Sequence, residues 1–332
     1  MKTIFKKEYI LLLAVIVGLS VYLYVNDRDR VNYQLPDIPS IEKSAVDRIE
    51  ITAPDSAPVI LEKKDNTWRI MPKGYPAAES KISDMLDAGA DLTLTALVSE
   101  ASDYHRYRLD KSNAVTVAMY GTEDTLLRKF SVGKKAGSTN HTFVRLEDIA
   151  AVYHARGGLR STFDQAVAKL RDKTVLAFAK ADVQSLQIKK GDDTIVLEKK
   201  QQPPEMAGNE TQADEAAASA KPKTVWETPD GRKGDAEAID KLISRLSSLT
   251  CKSYIADRDE RDFADPVYAV TVKAEKMHTL SLFAPKGPKN DEDFSDYPTV
   301  SSGAMTPFLL SKSSANQIMK DPAGLLTDDT EK

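Results

Sequence analysis

The sequence has a single cysteine, Cys251, in 332 residues. No disulfide can therefore form within one chain, and the soluble portion must rest on packed cores. No cysteine follows the apolar stretch near the N-terminus, which excludes a lipid-acylated anchor. Histidine is scarce as well: His105, His141, His154 and His278 are the full set, and no two share a metal-ligand spacing. Cys-x-x-Cys, His-Glu-x-x-His and Gly-x-Ser-x-Gly are all absent, so neither a zinc motif nor a nucleophile elbow can be assigned. There is no excess of positive charge. A net charge of -4 and a pI near 5.7 give no long-range attraction to phosphate backbones, so nucleic acid is not an expected partner. Lys-Lys pairs at Lys63, Lys189 and Lys199 each border an apolar run and read as solvated strand ends.

Long apolar runs are also lacking, with one exception. Tyr9 to Val25 (YILLLAVIVGLSVYLYV) is 17 residues without a charge, the short limit for a helix crossing a bilayer. Lys2, Lys6 and Lys7 precede it, whereas Arg28 and Arg30 alternate with Asp27 and Asp29, which favours a cytoplasmic N-terminus. The expectation is a single-pass bacterial inner-membrane protein: residues 1–8 cytoplasmic, 9–25 transmembrane, 26–44 a polar tether, and the bulk periplasmic. A cleaved signal peptide, with Gly18 and Ser20 as a small-x-small site, is the alternative.

What is abundant is internal repetition. VDRIEI at 46–51 matches VQSLQI at 183–188, and VILEKK at 59–64 matches IVLEKK at 195–200. Trp68 then corresponds to Trp226, and Ile82, Met85, Leu86 and Leu92 correspond to Ile239, Leu242, Ile243 and Leu249. Spacings of three and four place these sets on one helical face each. AVTV recurs at 114–117 and 269–272, followed in both copies by strand-like runs and a helical tail.

The offset between copies jumps from 136 to 158 at one point, the stretch 201–222 (QQPPEMAGNETQADEAAASAKP), which has no aromatic and no branched aliphatic residue. Such a composition cannot offset its ordering entropy and reads as a disordered insertion within a hairpin of the second copy. The expected organisation is α+β: two tandem repeat-related domains, 45–178 and 179–327, of antiparallel sheet packed with helices, and a tail at 328–332.

Chemistry-bearing candidates each have a plainer reading. Gly133-Lys134-Lys135-Ala136-Gly137-Ser138-Thr139 has the residue types of a phosphate loop in the wrong order, and its position between two strand-like runs predicts a hairpin turn. The acidic runs Asp257, Asp259, Glu260, Asp262 and Asp291, Glu292, Asp293, Asp296 lack the calcium-loop pattern and read as solvated loops. Tyr104, Tyr107, Trp68 and Trp226 could line a ligand surface, but the repeat-related tryptophans are expected to be core. No catalytic, cofactor-binding or metal-binding residue is assigned, and no cofactor is expected.

DRIEI, LEKKDNTWRI, LTALVSE, YRLDKSNAVTV, FSVGKKAGSTNHTFVRL and LRDKTVLAF together resemble the bacterial family called domain of unknown function 4340. Copy one carries the tyrosine-x-leucine-aspartate turn at Tyr107, Leu109 and Asp110, whereas copy two has Phe263 and Ala264 ahead of Asp265-Pro266. The resemblance implies an accessory component of an envelope ABC transport system, with an ABC permease, its ATPase and a gliding-motility-type auxiliary protein as partners. It carries no catalytic residues. The expected function is thus a non-enzymatic periplasmic scaffold subunit. A module binding lipid, glycan or peptide in a cleft between the domains is the alternative, and an envelope hydrolase is the weakest reading.

Overall fold

The computed structural model describes residues 7–26, 33–137, 140–202, 223–285 and 296–327. The chain forms two compact units, Met1–Val167 and Ala168–Lys332. Both are mixed α/β with mostly antiparallel sheet and few helices.

The first element, α1 (Lys7–Asn26), corrects the expectation of a membrane span. Among the described residues no helix is long and apolar enough to cross a membrane. The apolar run Tyr9–Val25 is 17 residues, which at 1.5 Å per residue covers about 25 Å, short of a hydrocarbon core of roughly 30 Å. The single-pass inner-membrane placement, with a cytoplasmic N-terminus and a periplasmic bulk, falls with it.

The first unit continues with strands β1 (Arg48–Thr52), β2 (Val59–Lys64), β3 (Thr67–Met71) and β4 (Tyr75–Pro76), helix α2 (Glu79–Ala90) and β5 (Leu94–Ser99). Then come β6 (Val115–Tyr120), β7 (Leu126–Lys135), β8 (His141–Leu146), β9 (Val152–Arg156) and α3 (Leu159–Phe163). The nine strands form one sheet in the order β4-β3-β2-β1-β6-β7-β8-β9-β5. Alternation drives it: Ile49 and Ile51 of β1, Leu61 of β2, and Val117 and Met119 of β6 are buried on one face. The β2–β3 hairpin turns at Asp65-Asn66, both with positive φ, as a two-residue turn of this kind requires. Helix α2 buries Ile82, Met85, Gly89 and Ala90. A Cβ at Gly89 would overlap the Met119 thioether, so the helix lies as close to β6 as glycine allows.

The short helix α4 (Val167–Leu170) spans the division between the units. The second unit then runs β10 (Thr174–Ala177), β11 (Ser185–Lys190), β12 (Asp193–Gln202), β13 (Lys223–Glu227) and α5 (Ala236–Leu246). It closes with β14 (Ser248–Thr250), β15 (Ser253–Tyr254), β16 (Tyr268–Lys273), β17 (Met277–Leu282), β18 (Tyr297–Ser301), β19 (Phe308–Leu310) and α6 (Lys312–Ile318). The eight-stranded sheet has the order β13-β12-β11-β16-β17-β18-β19-β15, and β10 pairs separately with β14. The Asp235 carboxylate accepts hydrogen bonds from Glu237 N and Ala238 N to cap α5, whose residues Ile239, Leu242, Ile243 and Leu246 enter the same core as the inner face of the sheet.

Reading β11 for β1, β12 for β2, β16 for β6 and so on, the eight strands of the second sheet follow the order of the first, which has β4 as an additional edge strand. The equivalence reaches individual bonds. Trp68 lies opposite Lys63 and Trp226 opposite Lys199, and Ala77 N donates to Trp68 O as Gly234 N donates to Trp226 O.

One sequence match shifts. Ile51 pairs with Val117 in the first unit and Ile188 with Val270 in the second, so the β6 and β16 positions correspond at a spacing of 153, not at the 155 of the identical AVTV strings. The two-residue discrepancy leaves every side chain on its own face, which is why the hydrophobic pattern did not reveal it. Residues 203–222 of the insertion lie outside the described residues, so its disorder is not addressed. The strands on either side of it do pair, with Gln202 opposite Lys223.

Candidate functional site

The residues singled out in the sequence separate into structural roles. Gly133 does not belong to the hairpin turn but lies inside β7, where a Cβ would overlap the Tyr107 carbonyl oxygen and crowd Leu109. The turn itself starts at Ala136, whose N–H donates to His141 O. Ser138 and Thr139 lie outside the described residues. The tyrosine-x-leucine-aspartate segment is therefore the bend against which β7 is pressed. Arg108 adopts φ 55°, Leu109 is buried, and Asp110 accepts from the Asn113 side-chain amide. That hydrogen bond is the first cause holding the Asp110 carboxyl below its ordinary value.

In the second unit Phe283 stands at the place of Gly133, since Val115 pairs with Val132 and Tyr268 with Leu282. Its ring packs on Phe263 at 5.2 Å. A glycine contact in one copy has become an aromatic pair in the other.

Two of the histidines come together. His141 and His154 have ring centres 6.0 Å apart, Phe143 packs on His154 at 4.8 Å, and Tyr107 packs on Phe143 at 4.9 Å. Burial, and secondarily the charge of His141, lower the pKa of His154 below its ordinary value. His278 packs on Phe178 at 5.1 Å, while His105 lies on the turn Tyr104–Tyr107. Among the described residues, no three His, Cys, Asp or Glu side chains gather as a metal site would require.

Asp259 and Asp262 cap the short turn Glu260–Asp262. Asp296 is buried and lies 2.6 Å from Lys252, while Asp291, Glu292 and Asp293 are outside the described residues. Cys251 is buried, which pushes its thiol pKa up and away from nucleophilic use. Trp226 joins the core of the second unit, whereas Trp68 is only half-buried.

The feature with the geometry of a binding surface is one the sequence reading missed. In the first unit a groove of about 360 Å³ runs between α2 and the start of α3, lined by Asp84, Asp87 and Asp91 with Arg156, Gly157 and Thr162. Spacings of three and four put the three carboxylates on one side of α2. In the second unit the corresponding face of α5 is flanked by two adjoining grooves against α6: one of about 270 Å³, lined by Ser244, Arg245, Ser248, Thr250, Ser314 and Gln317, and one of about 420 Å³, lined by Asp240, Lys241, Ser244, Arg245, Gln317 and Lys320. By the helix correspondence, Lys241 occupies the place of Asp84, Ser244 that of Asp87 and Arg245 that of Ala88. The helix face that carries three aspartates in the first unit thus carries Lys241, Ser244, Arg245 and Ser248 in the second. The signal was present in the helix alignment, but only the apolar positions had been compared, and α3 and α6 were needed to make the exposed faces into grooves.

Residues 68–266, more than half of the chain, match the family described as Domain of unknown function (DUF4340), and the protein belongs to that family. The match begins at Trp68 on β3 and ends just before β16, so it crosses from one unit into the other. Among curated proteins and among solved structures, nothing matches the chain.

Proposed function

We propose that this protein is a non-enzymatic accessory subunit, a scaffold of an ABC-type transport complex, whose two units dock two different partners. The observation that supports the reading is the reversal of charge on the equivalent exposed face of the long helix. Two copies of one unit with the same groove chemistry would present one specificity twice. Exchanging Asp84 and Asp87 for Lys241 and Ser244, and Ala88 for Arg245, makes one face complementary to basic segments, its three carboxylates outnumbering the Lys43 that pairs with Asp87 and Asp91, and the other to acidic ones. Complementary charge of this kind selects partners and speeds encounter more than it adds affinity. Family membership supplies the context: the resemblance implies a permease, an ATPase and a gliding-motility-type auxiliary protein as the bound components.

Tagged full-length protein from its native cells, solubilised under mild conditions, is expected to co-purify a permease and an ATPase. Reversing the first groove (Asp84→Lys with Asp87→Lys) and the second (Lys241→Glu with Arg245→Glu) should each remove a different component. Recovery of the protein alone, or the same loss from both variants, overturns the proposal.

A further inference from the structure

We infer that Arg128 is a single-side-chain latch that holds the lead-in segment Asp37–Ile41 on the first unit, where the second unit uses a strand ladder instead. Arg128 projects from β7 and is buried. Its Nη1 donates to Gly89 O and Ala90 O, both at 2.7 Å, and its Nη2 donates to Pro39 O. A guanidinium at this point satisfies carbonyls that the end of α2 leaves without intrahelical partners, and it meets the negative end of the helix dipole. Its one remaining bond reaches across to the lead-in.

The equivalence of the units supplies the comparison. Ile41 N donates to Ala90 O at 3.2 Å, and Phe178 N donates to Ser247 O at 3.2 Å, so residues 37–41 correspond to the end of the β10 region. Around that shared bond the two units differ. In the second, β10 pairs with β14 from Thr174 to Ala177 across one bulge between Thr174 and Leu176, Cys251 N donates to Lys173 O, and Val175 and Leu176 are buried. In the first, residues 33–42 form no strand and none of them is buried. His278 stands where Arg128 stands, since Met119 pairs with Arg128 and Val272 with His278, and its ring packs on Phe178 without reaching for a carbonyl.

A segment with little buried surface and few hydrogen bonds opens locally, at a free energy well below that of global unfolding. A ladder closed over two buried apolar side chains does not. Opening the latch moves the point at which the lead-in joins the first unit from Pro39 toward Lys43, paired with Asp87, and Val46, the next fully buried residue. Arg128 thereby governs how much of the lead-in is held on the first unit, a property that does not depend on the scaffold reading.

Hydrogen exchange followed by mass spectrometry on the full chain tests this. In the wild-type protein, amides in 37–42 are expected to exchange at least tenfold faster than those in 174–178. Arg128→Met should accelerate 37–42 by a further tenfold, and His278→Ala should leave 174–178 unchanged. Equal protection of the two segments in the wild-type protein overturns the inference even if the Arg128 variant does not fold. So does a folded Arg128→Met protein in which 37–42 exchanges at the wild-type rate.

Discussion

The Lys43 ammonium lies 2.6 Å from the Asp87 carboxylate. One repeat further on, the residues at the same two places, Lys180 and Ser244, meet at 2.9 Å. A lysine ties the turn before the first strand to the first long helix in both units, by an ion pair in one and a hydrogen bond from the ammonium to a neutral hydroxyl in the other. The Asp87 hydrogen bond, followed by its charge, raises the Lys43 pKa above the ordinary 10.5. Stability linked to this pair is present below the unfolded-state value and is lost as pH rises through the raised one. Both groups are exposed, so Asp87→Ser should leave the urea midpoint at neutral pH close to wild type. Any small difference should close in strongly alkaline buffer.

Gly133 is expected to be the least replaceable glycine of the first unit. Gly133→Ala drives a methyl into the Tyr107 carbonyl, a backbone contact that cannot swing aside, and should cost on the order of 3 kcal/mol in a denaturant melt. A loss below about 0.5 kcal/mol, the range of ordinary surface substitutions, means that the bend at Tyr107 yields.

The caps of the two long helices differ in a way that can be exchanged. Asp235 caps α5 through its side chain, while Ala78 at the same place on α2 has no side-chain acceptor. Asp235→Ala should destabilise by about 1 kcal/mol, and Ala78→Asp should stabilise by a similar amount. Thermal melts of the two variants should shift in opposite directions.

His154 carries a depressed pKa because burial, and then the neighbouring His141, disfavour its charged form. The folded state therefore binds fewer protons than the unfolded chain. The associated stability is present above the unfolded value of about 6.5 and falls as pH drops through the lowered one. The melting midpoint should decline between neutral pH and pH 5. That decline should shrink in His141→Asn and flatten further in His154→Asn, and an unchanged slope in both would place the pH sensitivity elsewhere.

Between β12 and β13 the chain spans 203–222, yet the flanking residues Gln202 and Lys223 are paired. In the first unit two residues, Asp65 and Asn66, make the same connection. Replacing 203–222 by Asn-Gly should leave the second unit folded, and the shorter closure should make it up to roughly 2 kcal/mol more stable. Loss of cooperative unfolding would show that the insertion contributes contacts of its own.

Much of the fold was legible because apolar side chains in strands and helices must recur with period 2 or 3.6. Ile49, Ile51, Leu186 and Ile188 disclosed their strands in this way, as Ile239, Leu242 and Ile243 disclosed α5. What periodicity leaves undetermined was misread. A shift of two residues preserves faces, so the AVTV strings were aligned where the hydrogen bonds do not put them. Gly133 reads as a turn residue because the carbonyl it accommodates comes from a segment more than 20 residues away. The lead-in at 37–41 reads as tether because its holds, one arginine from β7 and one backbone bond from Ile41 to Ala90, are long-range contacts without a local pattern. The candidate grooves were hidden for a related reason: exposed charges become a surface only when a second helix encloses them. The run from Tyr9 to Val25 was read as a span although its length was marginal from the outset.

The chain has two tryptophans, and each unit holds one. Both lie opposite a lysine on the neighbouring strand, but Trp226 is buried and Trp68 is half-buried. The repeat has thereby given each half of the molecule its own optical reporter at an equivalent place. With Trp68→Phe the remaining fluorescence follows the second half alone, and with Trp226→Phe the first, so the order in which the two halves unfold can be read from intrinsic emission without any added label.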